Sequence, residues 1–182
     1  MVVGRLFLAV PMRDEARHAL ATLLARATSS MPGKVVPPDN WHLTLRFLGS
    51  TEEATYDRLL AGLDEMDPPP AFEIRFGSLG AFPRPSRAAV LWIGLERGLE
   101  SLQDLAARVR SAAELAGLPL DDRPFRGHLT LSRIRPPEPV EGLLASTPPF
   151  GVGMRVDRIV LYRSHLGRPA ARYEELESFP LG

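Results

Sequence analysis

The sequence predicts an α+β protein of two lobes, built from a duplicated β-α-β-α-β unit, with antiparallel or mixed sheets facing a central cleft and helices outside. Three observations carry this expectation. The tetrapeptide His-Leu-Thr-Leu occurs twice, beginning at His42 and His128, 86 residues apart. Apolar runs around Leu6 and Leu91 open the two halves 85 residues apart. Between these landmarks the order strand, helix, loop, strand recurs at a nearly constant offset, as an internal duplication requires. The chain is taken as one domain, 1–182, with repeat 1 at about 1–85 and repeat 2 at about 86–182.

Residues 4–10 (GRLFLAV) form a short apolar run stopped by Pro11, which suits a buried strand. From Asp14 to about Ala27, Leu20, Leu23 and Leu24 recur at helical spacing, with Asp14 as the expected N-terminal cap. Met31-Pro32-Gly33 breaks the chain, and Pro37-Pro38-Asp39-Asn40 turns it into an alternating strand from Trp41 to Leu48. A helix is expected at about Glu52–Met66, ended by Asp67-Pro68-Pro69-Pro70, then a strand at Phe72–Phe76 and a Pro/Gly-rich loop to Ser86. The second half repeats the order. It offers a strand at Ala88–Leu95, a helix at Leu99–Leu115 ended by Gly117, a loop at Asp121–Arg126 and a strand at Gly127–Ile134. A short helix near Val140–Ala145, one long bulged strand at Phe150–Arg163 and a last strand at Ala171–Phe179 complete the reading. Gly94-Leu95-Glu96-Arg97-Gly98 reads as a loop.

Composition narrows the function. With 45% hydrophobic and 24% charged residues, the chain can bury a sizeable core and disorder is excluded as its main state. Basic and acidic residues balance at 22 each, which argues against a strongly basic nucleic-acid wrapper or a polybasic membrane binder. Lys34 is the only lysine, so the cations are arginines, planar donors suited to phosphate. The absence of cysteine removes disulfides, thiolate metal sites and cysteine nucleophiles. The N-terminal apolar run is too short to span a bilayer and lacks the features of a secretory signal, so a soluble cytoplasmic protein is expected, and the chain is taken as a monomer. No G-x-S-x-G elbow, H-E-x-x-H pair or Walker loop is present.

Alternate strand residues share a face, so His42 and Thr44 point one way and Leu43 and Leu45 the other. His128 and Thr130 repeat this over Leu129 and Leu131. One such motif would read as an ordinary amphipathic strand, but two of the four histidines in identical, equivalent tetrapeptides point to chemistry. Paired imidazoles across a cleft suit general acid–base catalysis, one taking a proton from an attacking hydroxyl while the other gives one to a departing oxygen. Threonine hydroxyls beside them can donate to the non-bridging oxygens of a phosphate diester. Such a site needs neither metal nor cofactor, and an unperturbed pair predicts an optimum at roughly pH 6–7. Between Arg123 and Arg135 lie Arg123, Arg126, Arg133 and Arg135 with no acid, a patch suited to an RNA backbone. The acids of Glu52–Asp67 are read as an outward helix face. Trp41, Phe47, Phe125 and Tyr162 can stack on a base, although most aromatics of this kind serve the core. His18 is read as a surface residue and His165 as a turn residue.

The paired motifs resemble the 2H phosphoesterase superfamily, and in particular its RNA 2′,3′-cyclic phosphodiesterases, also described as 2′-5′ RNA ligase-like. The resemblance extends to the opening Leu6-Phe7-Leu8-Ala9-Val10-Pro11, the block Asn40–Gly49, and the second motif through Arg133. It also takes in Leu161-Tyr162-Arg163-Ser164 with Gly167, Pro169 and Tyr173. Family members often carry proline before the second histidine, where this chain has Gly127. The resemblance implies hydrolysis of RNA 2′,3′-cyclic phosphate ends to 2′-phosphomonoesters, His42 protonating the leaving 3′-oxygen and His128 activating water. Thr44, Thr130 and Arg133 would hold the phosphate, and Phe47, Arg126 and Tyr162 are candidate RNA contacts. Five residues past His128, Arg133 points away from the phosphate in a regular strand, so this role requires a bulge or a strand end. The rival readings are 2′-5′ RNA joining, opening of another small cyclic nucleotide phosphate, and RNA-end binding without turnover.

Overall fold

The computed structural model describes all 182 residues. Its elements run β1 (Val2–Pro11), α1 (Asp14–Ala27), β2 (Lys34–Val35), β3 (His42–Glu52), α2 (Glu53–Glu65), β4 (Phe72–Arg84) and β5 (Arg87–Arg97). There follow α3 (Leu99–Leu115), β6 (Leu129–Glu138), α4 (Glu141–Ser146), β7 (Gly153–Val156), β8 (Arg158–His165) and β9 (Arg172–Pro180). A 3-10 turn at Pro38–Asn40 leads into β3.

All strands join one sheet ordered β7-β4-β5-β6-β3-β1-β8-β9, with β2 on β6. Every pairing is antiparallel, so the mixed alternative does not occur. The copies of the repeat meet edge to edge, where Leu43 of β3 pairs with Leu129 of β6. They also exchange strands: β4, from the first half of the sequence, pairs with β5, and β8, from the second, pairs with β1. On one face, Leu20 and Leu24 of α1, Leu59 and Leu63 of α2, and Leu102 and Leu105 of α3 bury against Leu43, Leu45, Leu129 and Leu131 in a single core cluster. Each fully buried leucine contributes about 1.5–3 kcal/mol. This leaves the histidine–threonine face free of helices.

Both copies carry the same irregularity. In β3, Thr44 lies opposite Ala9 and Arg46 opposite Leu8, so Leu45 is an extra residue. In β6, Thr130 lies opposite Trp92 and Ser132 opposite Leu91, so Leu131 is the extra one. Two residues facing one is a β-bulge, which shifts the alternation by one position. Arg46 and Ser132 therefore turn inward and are buried, while Phe47 and Arg133 turn outward. By this register the equivalent of Leu91 is Leu8, which lies opposite Arg46 as Leu91 lies opposite Ser132; Leu6, the sequence-based match, lies opposite Gly49.

Several expectations are corrected. Asp14 is the first residue of α1; the cap position belongs to Arg13, whose side chain makes no capping bond, and the Asp14 carboxylate instead accepts from Arg17 at 2.5 Å. The loop expected after Phe76 is strand, because β5 supplies partners along β4 as far as Arg84. Residues Gly94 to Arg97 are likewise strand. The single strand expected at Phe150–Arg163 is two, since β7 pairs with β4 at one margin of the sheet and β8 lies between β1 and β9 towards the other. The acids of Glu52–Asp67 are exposed, as read.

The buried Arg46 guanidinium ties the two copies together. It pairs with Asp121 at 2.6 Å and donates to the Pro119 carbonyl, both in the segment that leads from α3 to His128. Asp121 also grips Arg123 through Nε and the terminal nitrogen at 2.8 and 2.9 Å. Arg123 is thereby held to Asp121, which it shares with Arg46, and is drawn away from the basic patch expected from Arg123 to Arg135.

Gly80 faces Trp92 across the β4–β5 ladder, and a Cβ there would lie 2.2 Å from the indole. Gly80→Ala is therefore expected to displace Trp92 and cost about 1–3 kcal/mol, lowering the melting temperature by about 2–12 °C. Thermal unfolding with tryptophan fluorescence checks this; an unchanged melting temperature would contradict it.

Candidate active site

His42 follows the Pro38–Asn40 turn, and His128 immediately precedes β6. Each ring Nδ1 meets the backbone carbonyl two residues earlier: Asn40 at 2.8 Å for His42, Arg126 at 2.6 Å for His128. A carbonyl only accepts, so Nδ1 carries the proton in both rings and Nε2 is left for chemistry. The duplication thus reproduces the tautomer as well as the motif. Asn40 is itself held by its side-chain amide, which donates to Ala171 at 2.7 Å.

Aromatic rings fix both imidazoles. Phe7 lies 4.8 Å from the His42 ring and Tyr173 meets it edge-on at 5.3 Å. Phe82 meets His128 edge-on at 5.1 Å, with Trp92 behind at 6.1 Å. Burial depresses His42 to about 4; its bond to Asn40 opposes this, while the charges of His128 and Arg133 reinforce it. Burial also lowers His128, with the Arg126 carbonyl opposing and Arg133 and Arg126 adding to the effect.

One cleft of about 470 Å³ gathers His42, Thr44, Phe47, His128, Thr130 and Arg133. The bulge at Leu131 brings Arg133 onto this wall, and its counterpart at Leu45 brings Phe47. No group of three or more His, Cys, Asp or Glu side chains converges as a metal site would require. Two candidate contacts sit differently. Tyr162 is buried beside Phe7, stacked on it at 5.1 Å, with its ring 6.3 Å from that of His42 and its hydroxyl reaching Glu175; it supports the histidine wall and is not among the residues that line the cleft. Arg126 is outside the cleft lining; its carbonyl holds His128 and its guanidinium lies 5.6 Å over Phe82. Trp41 is buried, its indole donating to Val36, and Phe125 packs against the core. His18 is exposed, while His165 ends β8 and bonds Glu174 at 2.6 Å.

The sequence reading missed Phe7, Phe82 and Tyr173 as cleft residues. Phe7 lay in a run read as wholly buried, and Phe82 in a segment read as loop. Tyr173 alternates with Glu175 on β9, but nothing local ties β9 to the histidines. Gly127 packs tightly: a Cβ there would come 3.0 Å from Leu102, so the departure at this position fits its own surroundings. A larger depression of about 540 Å³ lies near Arg13 and Arg155, where Arg13 is paired with Asp157 and Arg155 with Glu73.

The model of the 2′-5′ RNA ligase superfamily matches residues 14–168. An RNA 2′,3′-cyclic phosphodiesterase from Escherichia coli K12 is 32% identical over 179 residues, covering 97% of this chain and 96% of that one. A relative of the same name from Geobacillus stearothermophilus is 30% identical over 183 residues; the match takes in 96% of this chain but 56% of that longer protein. The crystal structure of E. coli LigT complexed with 3′-AMP aligns at a TM-score of 0.83 and 29% identity, over 98% of both chains. No helix here is long and apolar enough to cross a membrane. The duplicated motifs, the curled sheet that pairs them and this extent of similarity agree: the chain belongs to the 2′-5′ RNA ligase superfamily.

Proposed function

We infer that the protein hydrolyses terminal 2′,3′-cyclic phosphates on RNA to 2′-phosphomonoesters, by two-histidine acid–base catalysis that requires no metal or cofactor. The observation that carries this reading is the pair of imidazoles, each locked in the same tautomer by the same backbone bond, opening onto one cleft with threonines and arginine beside them. The names of the relatives support the substrate.

In the reaction, His128 Nε2 takes a proton from water as the water oxygen attacks phosphorus. The bond from phosphorus to the 3′-oxygen breaks, and His42 Nε2 delivers a proton to that oxygen. Thr44, Thr130 and Arg133 donate to the non-bridging oxygens, where charge concentrates in the transition state. Phe47 stacks on the terminal base, with Phe7 and Tyr173 extending the aromatic wall. In the empty cleft His42 is neutral at pH 7, because burial holds it near 4. A bound phosphodiester anion raises both imidazoles, so the acid gains its proton as substrate arrives. In this reading the protein works as a cytoplasmic monomer on RNA 3′ ends.

The test is incubation of a short RNA bearing a 2′,3′-cyclic phosphate with the protein in EDTA, followed by phosphorus NMR of the product. A 2′-phosphate formed at undiminished rate is expected. A 3′-phosphate, or turnover that chelation abolishes and added metal restores, would overturn the reading.

A further inference from the structure

The cleft lining contains no Asp or Glu and two arginines, Arg133 and Arg5. They occupy different parts of it. The charge of Arg133 bears on both imidazoles, whereas Arg5 is not among the charges that act on either. Arg5 is exposed and unpaired, while Arg13, Arg46, Arg155, Arg158 and Arg163 all face carboxylates.

The ladder fixes where Arg5 stands. It pairs with Ser50 on β3 and Ser164 on β8, and Ser164 pairs in turn with Tyr173 on β9. Ser164 and Tyr173 also line the cleft. Phe7, two residues on, shares the Arg5 face and lies opposite Phe47; Ala9, four residues on, lies opposite Thr44. At a rise of about 3.3 Å per residue, Arg5 is about 13 Å along β1 from the level of Thr44. The wall thus presents hydroxyl and imidazole, then aromatic rings, then a free guanidinium. An RNA end presents its groups in the same sequence: terminal phosphate, base, next phosphate. A nucleoside 2′,3′-cyclic phosphate with a free 5′-hydroxyl has no group for the last position.

We propose that Arg5, at the end of the cleft that Ser164 also lines, binds an internucleotide phosphate upstream of the reacting one and gives the enzyme a preference for oligoribonucleotide ends over free nucleoside cyclic phosphates. The proposal rests on the function inferred above. It makes Arg5 a specificity residue, remote from the bonds that change.

The test compares kcat/KM for a trinucleotide ending in 2′,3′-cyclic phosphate with that for the matching nucleoside 2′,3′-cyclic phosphate, in wild type, Arg5→Gln and Arg5→Lys. The oligomer-to-monomer ratio is expected to fall roughly tenfold in Arg5→Gln, the scale of one charge-assisted hydrogen bond. Its oligomer affinity should also lose about 0.7 from the slope of log K against log salt, and Arg5→Lys should keep that slope. An unchanged ratio, or equal losses on both substrates, would overturn the proposal. The same ratio is read from dissociation constants of the two 2′-phosphate products. Absence of turnover in wild type would therefore remove the inferred reaction while this binding comparison still decides the role of Arg5.

Discussion

His128→Ala and His42→Ala are each expected to lower kcat/KM by about 10²–10⁴, the usual range for a general acid or base. The double variant should lose less than the product of the two, because the imidazoles act as one unit. The pH profile gives the sharper result. The base must be neutral and the acid protonated, so the rate rises as one imidazole loses its proton and falls as the other does. Because kcat/KM refers to the free protein, its limbs follow the empty cleft, where both histidines lie below 6.5 and His42 near 4. The bell should therefore centre between about 4 and 6.5, more acidic than the pH 6–7 that unperturbed imidazoles predict. The kcat profile refers to the complex, where the substrate anion raises both groups, and should lie at higher pH. His42→Ala should flatten the alkaline limb and His128→Ala the acid limb. The reverse would exchange the roles, and a profile flat from pH 5 to 9 with chemistry rate-limiting would dismiss the mechanism.

The largest effect on stability is expected at Asp121. Asp121→Ala would leave Arg46, only 7% exposed, with the Pro119 carbonyl but no directly paired carboxylate, the charge of Glu114 acting on it only from a distance. Stranding a buried charge costs about 3–5 kcal/mol, equivalent to roughly 6–20 °C in melting temperature for a chain of this size. Arg46→Met should cost less, because it removes the charge itself and leaves Asp121 its bonds to Arg123. Urea midpoints for the two variants check the order. Asp121→Ala within 1 kcal/mol of wild type would show that the pair contributes little.

The parts of the fold that were legible in the sequence were those set by local pattern. The bounds of α1 and α3 follow from apolar spacing, and the two histidines from a repeated tetrapeptide. What escaped was set by partners far along the chain. Strict alternation from His42 would send Arg46 into the cleft and Phe47 beneath the sheet; the bulge at Leu45 reverses them, and no residue type announces it. Arg133 reaches the cleft through the matching bulge at Leu131. Tyr162 and Tyr173 are both aromatic residues on β8 and β9, and only the assembled sheet shows that the first stacks on Phe7 while the second meets His42 edge-on. The segment from Gly77 to Pro83 looks like loop because of its glycines and proline, yet pairing with β5 makes most of it strand.

Strand exchange between the repeats bears on how the molecule can be made. On the ribosome, β1 emerges at the outset and β3 follows within about fifty residues, but β8, which covers the other edge of β1, begins only at Arg158. Until then the backbone edge formed by Arg5–Ala9 has no partner, and the apolar stretch Leu6–Val10 waits for a segment synthesised more than 150 residues later. An open apolar strand edge is a template for pairing with another chain, and sheets of such long sequence separation close slowly. Nascent chains truncated before Arg158 should therefore depend on chaperones and aggregate when released early, while release after β9 allows β8 to cover the open edge of β1.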